Sequence, residues 1–340
     1  MKSAEIVTIC ASGFPGTNRS LRNLEKNTGL TRHYVLTSND PEGVEVEFFA
    51  EQIRGWRPRV VLVGGWCELY ASLLRRLART RIAIGVYWTS SPGQTDISGE
   101  AAKLAHVLRE PRIRYRLFAD AETPRCLSGE ENGVLHLPVT MDLEGVAPLE
   151  RPRGKPAPAV LSLFCSPHEY GRKNVLNTLL ALSGLEEDYV LHVNGMTRSA
   201  PYRRLLRDLG VPHRDLGWMK ESAYRRALEE IDIGLQVSFA ETFNFVAAQH
   251  LALGIPVVAS AQVPVVSDMP AILRRRMIAP SIGSPIAIRD AVRWWIRHPR
   301  ARASVGRSAA KWIREMNGRR IATARAVLHR LTAARQQAGA

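Results

Sequence analysis

The sequence has no apolar run that reaches the roughly 18 residues a membrane-spanning helix needs. Its opening, MKSAEIVTIC, passes straight into an apolar strand and predicts no signal peptide. Cysteine is scarce. Cys10, Cys67, Cys126 and Cys165 stand far apart, with no C-x-x-C pair. That spacing excludes a disulfide framework and a zinc knuckle, and it predicts buried free thiols in a reducing cytoplasm. No G-x-G-x-x-G follows the first strand of either half, which disfavours a dehydrogenase built on that fingerprint.

Acidic residues are few at the C-terminal end. Residues 271–340 hold 16 Lys and Arg against Asp290 and Glu315, whereas the preceding residues hold 31 against 30. The net charge of +15 therefore sits almost wholly in this segment. Such a field draws polyanions, either nucleic acid or an anionic membrane surface. A solvated, arginine-rich face of helices explains it equally well.

What is present is a soluble globular composition, 45% hydrophobic and 23% charged, in a chain long enough for two cores. Apolar stretches at 6–10, 34–37, 60–63 and 82–87 predict strands, with helices between them at 46–55 and 69–79. The segment 133–140 closes this half. The alternation restarts with strands at 160–164 and 189–193 and helices at 175–182 and 202–209, and everything from 286 on is helical. Unbroken apolar strands separated by helices predict parallel sheets covered on both faces. The expected fold is α/β, with two doubly wound Rossmann-like domains facing a central cleft. The proline-rich LEGVAPLERPRGKPAPA places a linker at 146–159, between domains at 1–145 and 160–317.

The stretch 216–260 says most about chemistry. Glu241 falls in a loop after a buried strand and before a helix. There, helix N–H groups attract an anion while the carboxylate accepts from hydroxyls. Alone, Glu241 reads equally well as a helix cap. Its neighbours sharpen the reading. YGRKN (170–174) puts Arg172 and Lys173 at a helix start, a candidate diphosphate site. VNGM (193–196) ends a strand on Asn194 and Gly195, where glycine lets backbone approach a ligand. LGWM (216–219) reads as a short strand and turn at the same edge. Gln249 follows Glu241 by two helical turns if the stretch between them is helical.

This order of motifs, SGFPG, a proline-rich linker, YGRKN, VNGM, LGWM, ETFNFVAAQ and GIPVVAS, resembles the retaining, nucleotide-sugar-dependent glycosyltransferases of GT-B architecture, group 1 (family 4). The likeness is strong over about 160–260 and collinear before it, where LPVTMD (137–142) stands at the family's asparagine–glycine–aspartate turn. It implies catalytic roles for Lys173, on the donor diphosphate, and Glu241, on hydroxyls of the transferred sugar. Backbone of Thr242, Phe243, Asn244 and Phe245 would add phosphate contacts, and backbone near Trp218 and Met219 would meet the base. Gly13 and Gly16 would let the amino-terminal loop approach phosphates and acceptor. The closing helix, about 318–338, would return to the first domain.

Three positions depart from the family pattern. Gln249 replaces the second glutamate, which would hold the ribose. The arginine before the lysine is absent, leaving Arg172 or His168 to serve. The amino-terminal histidine is missing where YWTSSPGQTD (87–96) stands; Trp88, Ser90 and Asp96 are the acceptor-side candidates there. These departures keep open an inactive nucleotide-sugar-binding protein. No D-x-D occurs, so no metal is expected; helix N-termini and Lys173 would neutralise the leaving group. The donor is a nucleoside-diphosphate sugar, a UDP-sugar by expectation, and no further cofactor is implied. In a retaining reaction of this type the leaving phosphate itself takes the acceptor proton. The C-terminal charge narrowly favours a hydroxymethylated base in DNA as acceptor. A lipid-linked or envelope glycan met at a membrane surface through the basic helix at 71–80 is the alternative.

Overall fold

The computed structural model describes residues 5–38, 40–127, 133–149 and 158–333. The chain divides into two compact units, Met1–Asp142 with Met316–Ala340, and Leu143–Glu315.

The first unit carries β1 (Ile6–Ala11), β2 (Thr31–Leu36), β3 (Val60–Gly64), β4 (Ala83–Trp88), β5 (Ile113–Phe118) and β6 (Val134–His136), all parallel, in the order β2-β1-β3-β4-β5-β6. β1 and β3 are buried along their whole length, as strands covered on both faces must be. Tyr70, on the helix Glu68–Leu77, ties their carboxyl ends together: its hydroxyl accepts from Ala11 N at 2.6 Å and donates to Gly64 O at 3.0 Å. That helix buries Leu69, Leu73, Leu74 and Leu77, while Arg75 and Arg76 pair with Glu42 and Glu47. It packs on the sheet with its basic side salt-bridged. The loop after β1 is shorter than its glycines suggest, because the helix Pro15–Thr28 begins at once and takes Gly16 into its first turn.

Sequence patterning misses β5 and the helix Ala101–Arg109 before it. IRYRLF alternates apolar residues with arginines, so no apolar run announces it. Arg116 instead serves the preceding helix, donating to Val107 O at 3.1 Å and Glu110 O at 3.0 Å.

The second unit carries β7 (Ala159–Leu163), β8 (Tyr189–Val193), β9 (His213–Asp215), β10 (Ile233–Gln236) and β11 (Val257–Ala259), parallel in the order β11-β10-β7-β8-β9. The edge strand thus precedes LGWM rather than containing it. The helices Val175–Ser183, Ala200–Asp208, Glu221–Glu230 and Phe245–Ala252 alternate with the strands. His250 fixes the last of these to the central strand: Nδ1 donates to Val246 O at 2.7 Å, so Nε2 accepts from Ser162 Oγ at 2.7 Å.

One continuous helix, Pro299–Ala333, closes the chain, beginning well before the expected 318. Up to Glu315 it belongs to the second unit and from Met316 to the first. A Cβ on Gly306 would stand 2.0 Å from Gly254 O, so only glycine permits that crossing. Several of its arginines bind backbone: Arg314 donates to Val146 O at 2.8 Å and Arg325 to Asn27 O at 2.9 Å. Residues 150–157 of the expected linker and 334–338 of the expected closing helix lie outside the described residues. No helix among the described residues is long and apolar enough to cross a membrane.

Candidate functional site

β7 and β10 are neighbours, so the loops that leave their carboxyl ends meet. The β7 loop passes through a 3-10 turn, Pro167–Glu169, and delivers Arg172, Lys173 and Asn174 to the start of the helix Val175–Ser183. The β10 loop delivers Glu241 ahead of the helix Phe245–Ala252. Glu241 is buried; its Oε1 accepts from Lys173 Nζ at 2.5 Å and Asn244 Nδ2 at 3.3 Å, and lies 2.9 Å from Arg172 Nη1. Gln236, ending β10, accepts from Asn244 Nδ2 at 3.0 Å and donates to Phe164 O at 3.2 Å. Asn244 takes left-handed backbone (φ 68°) and caps the helix, its Oδ1 accepting from Ala247 N at 2.9 Å.

Arg172 grips the Glu241 loop at several points. Its Nη1 also donates to Ala240 O at 2.7 Å, its own carbonyl accepts from Phe239 N at 2.8 Å, and Nη2 pairs with Glu169. The guanidinium placed at the diphosphate by sequence reasoning is therefore committed to the loop. Burial alone would push the Glu241 carboxyl up, but Lys173 and then Arg172 outweigh it and hold the group below the usual carboxylate range. For Arg172, burial works against the charge, and Glu241 and Glu169 more than restore it. Burial pushes the neighbouring Cys165 thiol up to about 12.

At the adjoining edge, Asn194 Oδ1 accepts from Cys165 N at 2.9 Å, joining the ends of β7 and β8. Gly195 and Gly217 both take left-handed backbone, and Asp215 accepts from their N–H groups at 2.6 and 2.9 Å. Sequence reasoning missed Asp215, whose only signal is its place at a strand end between two glycine turns. Trp218 stands 66% exposed; Met219 is half-buried against the small core of Phe164, Leu228, Ile231 and Ile255.

The other expected residues fall as follows. Thr242 and Phe243 are buried, and Phe243 meets Phe245 edge-on at 5.2 Å. Gln249 lies on the helix that starts at Phe245, so two helical turns do not separate it from Glu241; its buried Oε1 has no hydrogen-bond partner. In the first unit Gly13 and Gly16 are exposed, and a Cβ on either would meet nothing within 4 Å. Trp88 is a core residue whose indole donates to Thr95 Oγ1 at 3.1 Å. Ser90 is half-buried, and Asp96 is exposed on the short helix Pro92–Ile97. Among the described residues no group of three or more His, Cys, Asp or Glu could hold a metal ion.

No family model and no curated protein matches the sequence. Solved structures do match over nearly the whole chain. Sucrose-phosphate synthase from Thermosynechococcus elongatus superposes with a TM-score of 0.75 at 12% identity, covering 97% of this chain and 100% of that one. WaaG, a glycosyltransferase involved in lipopolysaccharide biosynthesis, gives 0.62 at 13%, covering 90% and 95%. A trehalose-6-phosphate protein from E. coli, bound with UDP-2-fluoro glucose, gives 0.64 at 10%, covering 96% and 99%. The chain has the GT-B fold. In that fold the Lys173–Glu241 cluster lies at the carboxyl edge of the second sheet, where α/β sheets place their ligands.

Proposed function

We propose that the protein is a glycosyltransferase that moves a sugar from a nucleoside-diphosphate donor to a hydroxyl acceptor. The observation that carries this reading is the buried Lys173–Glu241 pair at the strand ends of a GT-B second unit. Lys173 would exchange its contact with Glu241 for the donor diphosphate, and Glu241 would turn to hydroxyls of the sugar. The likeness to a structure bound with UDP-2-fluoro glucose supports a uridine nucleotide. We read the reaction as retaining, with the leaving phosphate taking the acceptor proton, and as independent of metal. Turnover should then survive EDTA.

For the acceptor, the charge of the C-terminal segment still favours a polyanion, hydroxymethylated DNA first. A glycan at a membrane surface is supported by the likeness to WaaG. The salt-bridged, inward-packed helix Glu68–Leu77 speaks against that helix as its anchor.

The test is a thermal-shift screen of UDP-, ADP- and GDP-sugars, because a ligand that binds the native state raises its stability. Mass spectrometry of hydroxymethylated DNA and of lipid extracts, each incubated with the selected donor, then identifies the acceptor. Activity on DNA should fall steeply with salt. Full turnover by Lys173→Ala would remove the assignment.

A further inference from the structure

We infer that Asp215 is a positioning residue for the nucleotide end of the donor, an inference that rests on the proposed function. Asp215 closes the edge strand β9. Its Oδ1 accepts from Gly195 N at 2.6 Å and Gly217 N at 2.9 Å; its Oδ2 accepts from Thr197 N at 2.7 Å and from the Thr197 hydroxyl. Four donors occupy the two oxygens, so the carboxylate works on its own backbone rather than on substrate. Burial would raise its pKa, but the Thr197 hydroxyl and the three backbone N–H groups bring it below the ordinary range.

The two turns it joins leave adjacent strands, β8 and β9, at the edge that also carries Lys173 and Glu241. Gly195 (φ 80°) and Gly217 (φ 68°) give the turns backbone that other residues rarely adopt. A Cβ on Gly195 would stand 3.9 Å from Gly217 C and Trp218 N, so the turns nearly touch. Glycine has the most backbone freedom to lose on folding, and one half-buried carboxylate fixes both turns. What they present outward is Trp218, an exposed aromatic face on a backbone fixed from behind. Such a face recognises a planar heteroaromatic ring, the chemistry of a nucleobase. A second polar group lies beside the hub: the Tyr170 hydroxyl is buried without a partner, and burial, then Cys165 and Asp215, push it up to about 12.

The experiment titrates uridine diphosphate into the full chain and into Asp215→Asn and Thr197→Val by calorimetry, with donor and acceptor kinetics on the same proteins. Asparagine turns an amide donor towards N–H groups that need an acceptor. Asp215→Asn should therefore weaken uridine diphosphate about tenfold. Donor KM should rise in step, with kcat and acceptor KM unchanged. Thr197→Val, a smaller lesion that keeps the carboxylate, should show the same split at lower amplitude. A lowered melting temperature with wild-type nucleotide affinity and donor KM would make Asp215 merely structural and overturn the inference. If the unaltered chain itself fails to bind uridine diphosphate, the proposed function goes first and the inference with it.

Discussion

Lys173 Nζ donates to Glu241 Oε1 across 2.5 Å, although 68 residues separate the two in the chain. Their side chains are only 7% and 5% exposed, so water compensates neither charge. Removing one partner of a buried pair typically costs about 3–5 kcal/mol, because the other charge is left uncompensated. Arg172 lies 2.9 Å from the same oxygen and would still balance Glu241. Lys173→Met should therefore cost less, about 2 kcal/mol by urea unfolding, while abolishing donor turnover. Adding Glu241→Gln should cost less on the Lys173→Met background than in the unaltered chain, because the Lys173 contact is already gone, and should not restore activity. Additive costs of the two changes would deny the coupling.

Arg172 reaches Glu169, Ala240 O and Glu241 with one planar guanidinium. A lysine ammonium is a single point and cannot span all three. Arg172→Lys should loosen residues 239–241, cost about 1–2 kcal/mol and raise donor KM. The Phe239 amide, which donates to Arg172 O at 2.8 Å, is the local reporter. Its hydrogen exchange should quicken in the variant; an unchanged rate would show that the guanidinium does not hold the loop.

Acid should find the same cluster. Glu241 titrates below its unfolded value, so its ionised form contributes stability that is complete above the unfolded value and is lost as pH falls through the folded one. Wild-type stability should consequently drop below about pH 4.3, where an unfolded glutamate begins to protonate. Glu241→Gln should show a shallower acid limb in urea melts collected across that range. Parallel limbs would mean that Glu241 carries no linked charge.

The fold was legible where apolar residues run unbroken, as in β3, or are interrupted only once, by Thr8 in β1 and Ser162 in β7, because such runs are what a two-sided parallel sheet demands. The position of Glu241, between a buried strand and a helix start, was legible for the same local reason. Contacts across the chain were not. Arg172 and Lys173 stand together in sequence and do different things, one gripping a loop and the other pairing with Glu241; only the meeting of the β7 and β10 loops separates them. Gly195 announces unusual backbone, yet the purpose of that backbone is visible only once Asp215, twenty residues on, is seen to accept from it. β5 escaped because Arg114 and Arg116 break the apolar pattern, and Arg116 serves a neighbouring helix.

Asn317 gives the last prediction, because it joins the closing helix to Met141 as one strand residue joins another. Its Oδ1 accepts from Met141 N at 2.8 Å and its Nδ2 donates to Met141 O at 3.0 Å, with 176 residues between them. Both residues are buried, and Ala324, Leu328 and Leu331 farther along the same helix are buried too. Asn317→Leu would leave the Met141 N–H unpaired away from water, which costs about 1–3 kcal/mol, while the Met141 C=O keeps its bond from Asn27 Nδ2 at 2.9 Å. Asn317→Asp keeps the acceptor, loses the donor and buries a charge, so the isosteric change should be no gentler. Both variants should unfold at lower urea, with uridine diphosphate affinity as the control that the second unit is intact. A loss under about 0.5 kcal/mol in Asn317→Leu, the range of ordinary surface changes, would mean that the segment from Met316 is an accessory to the first unit and not part of its core.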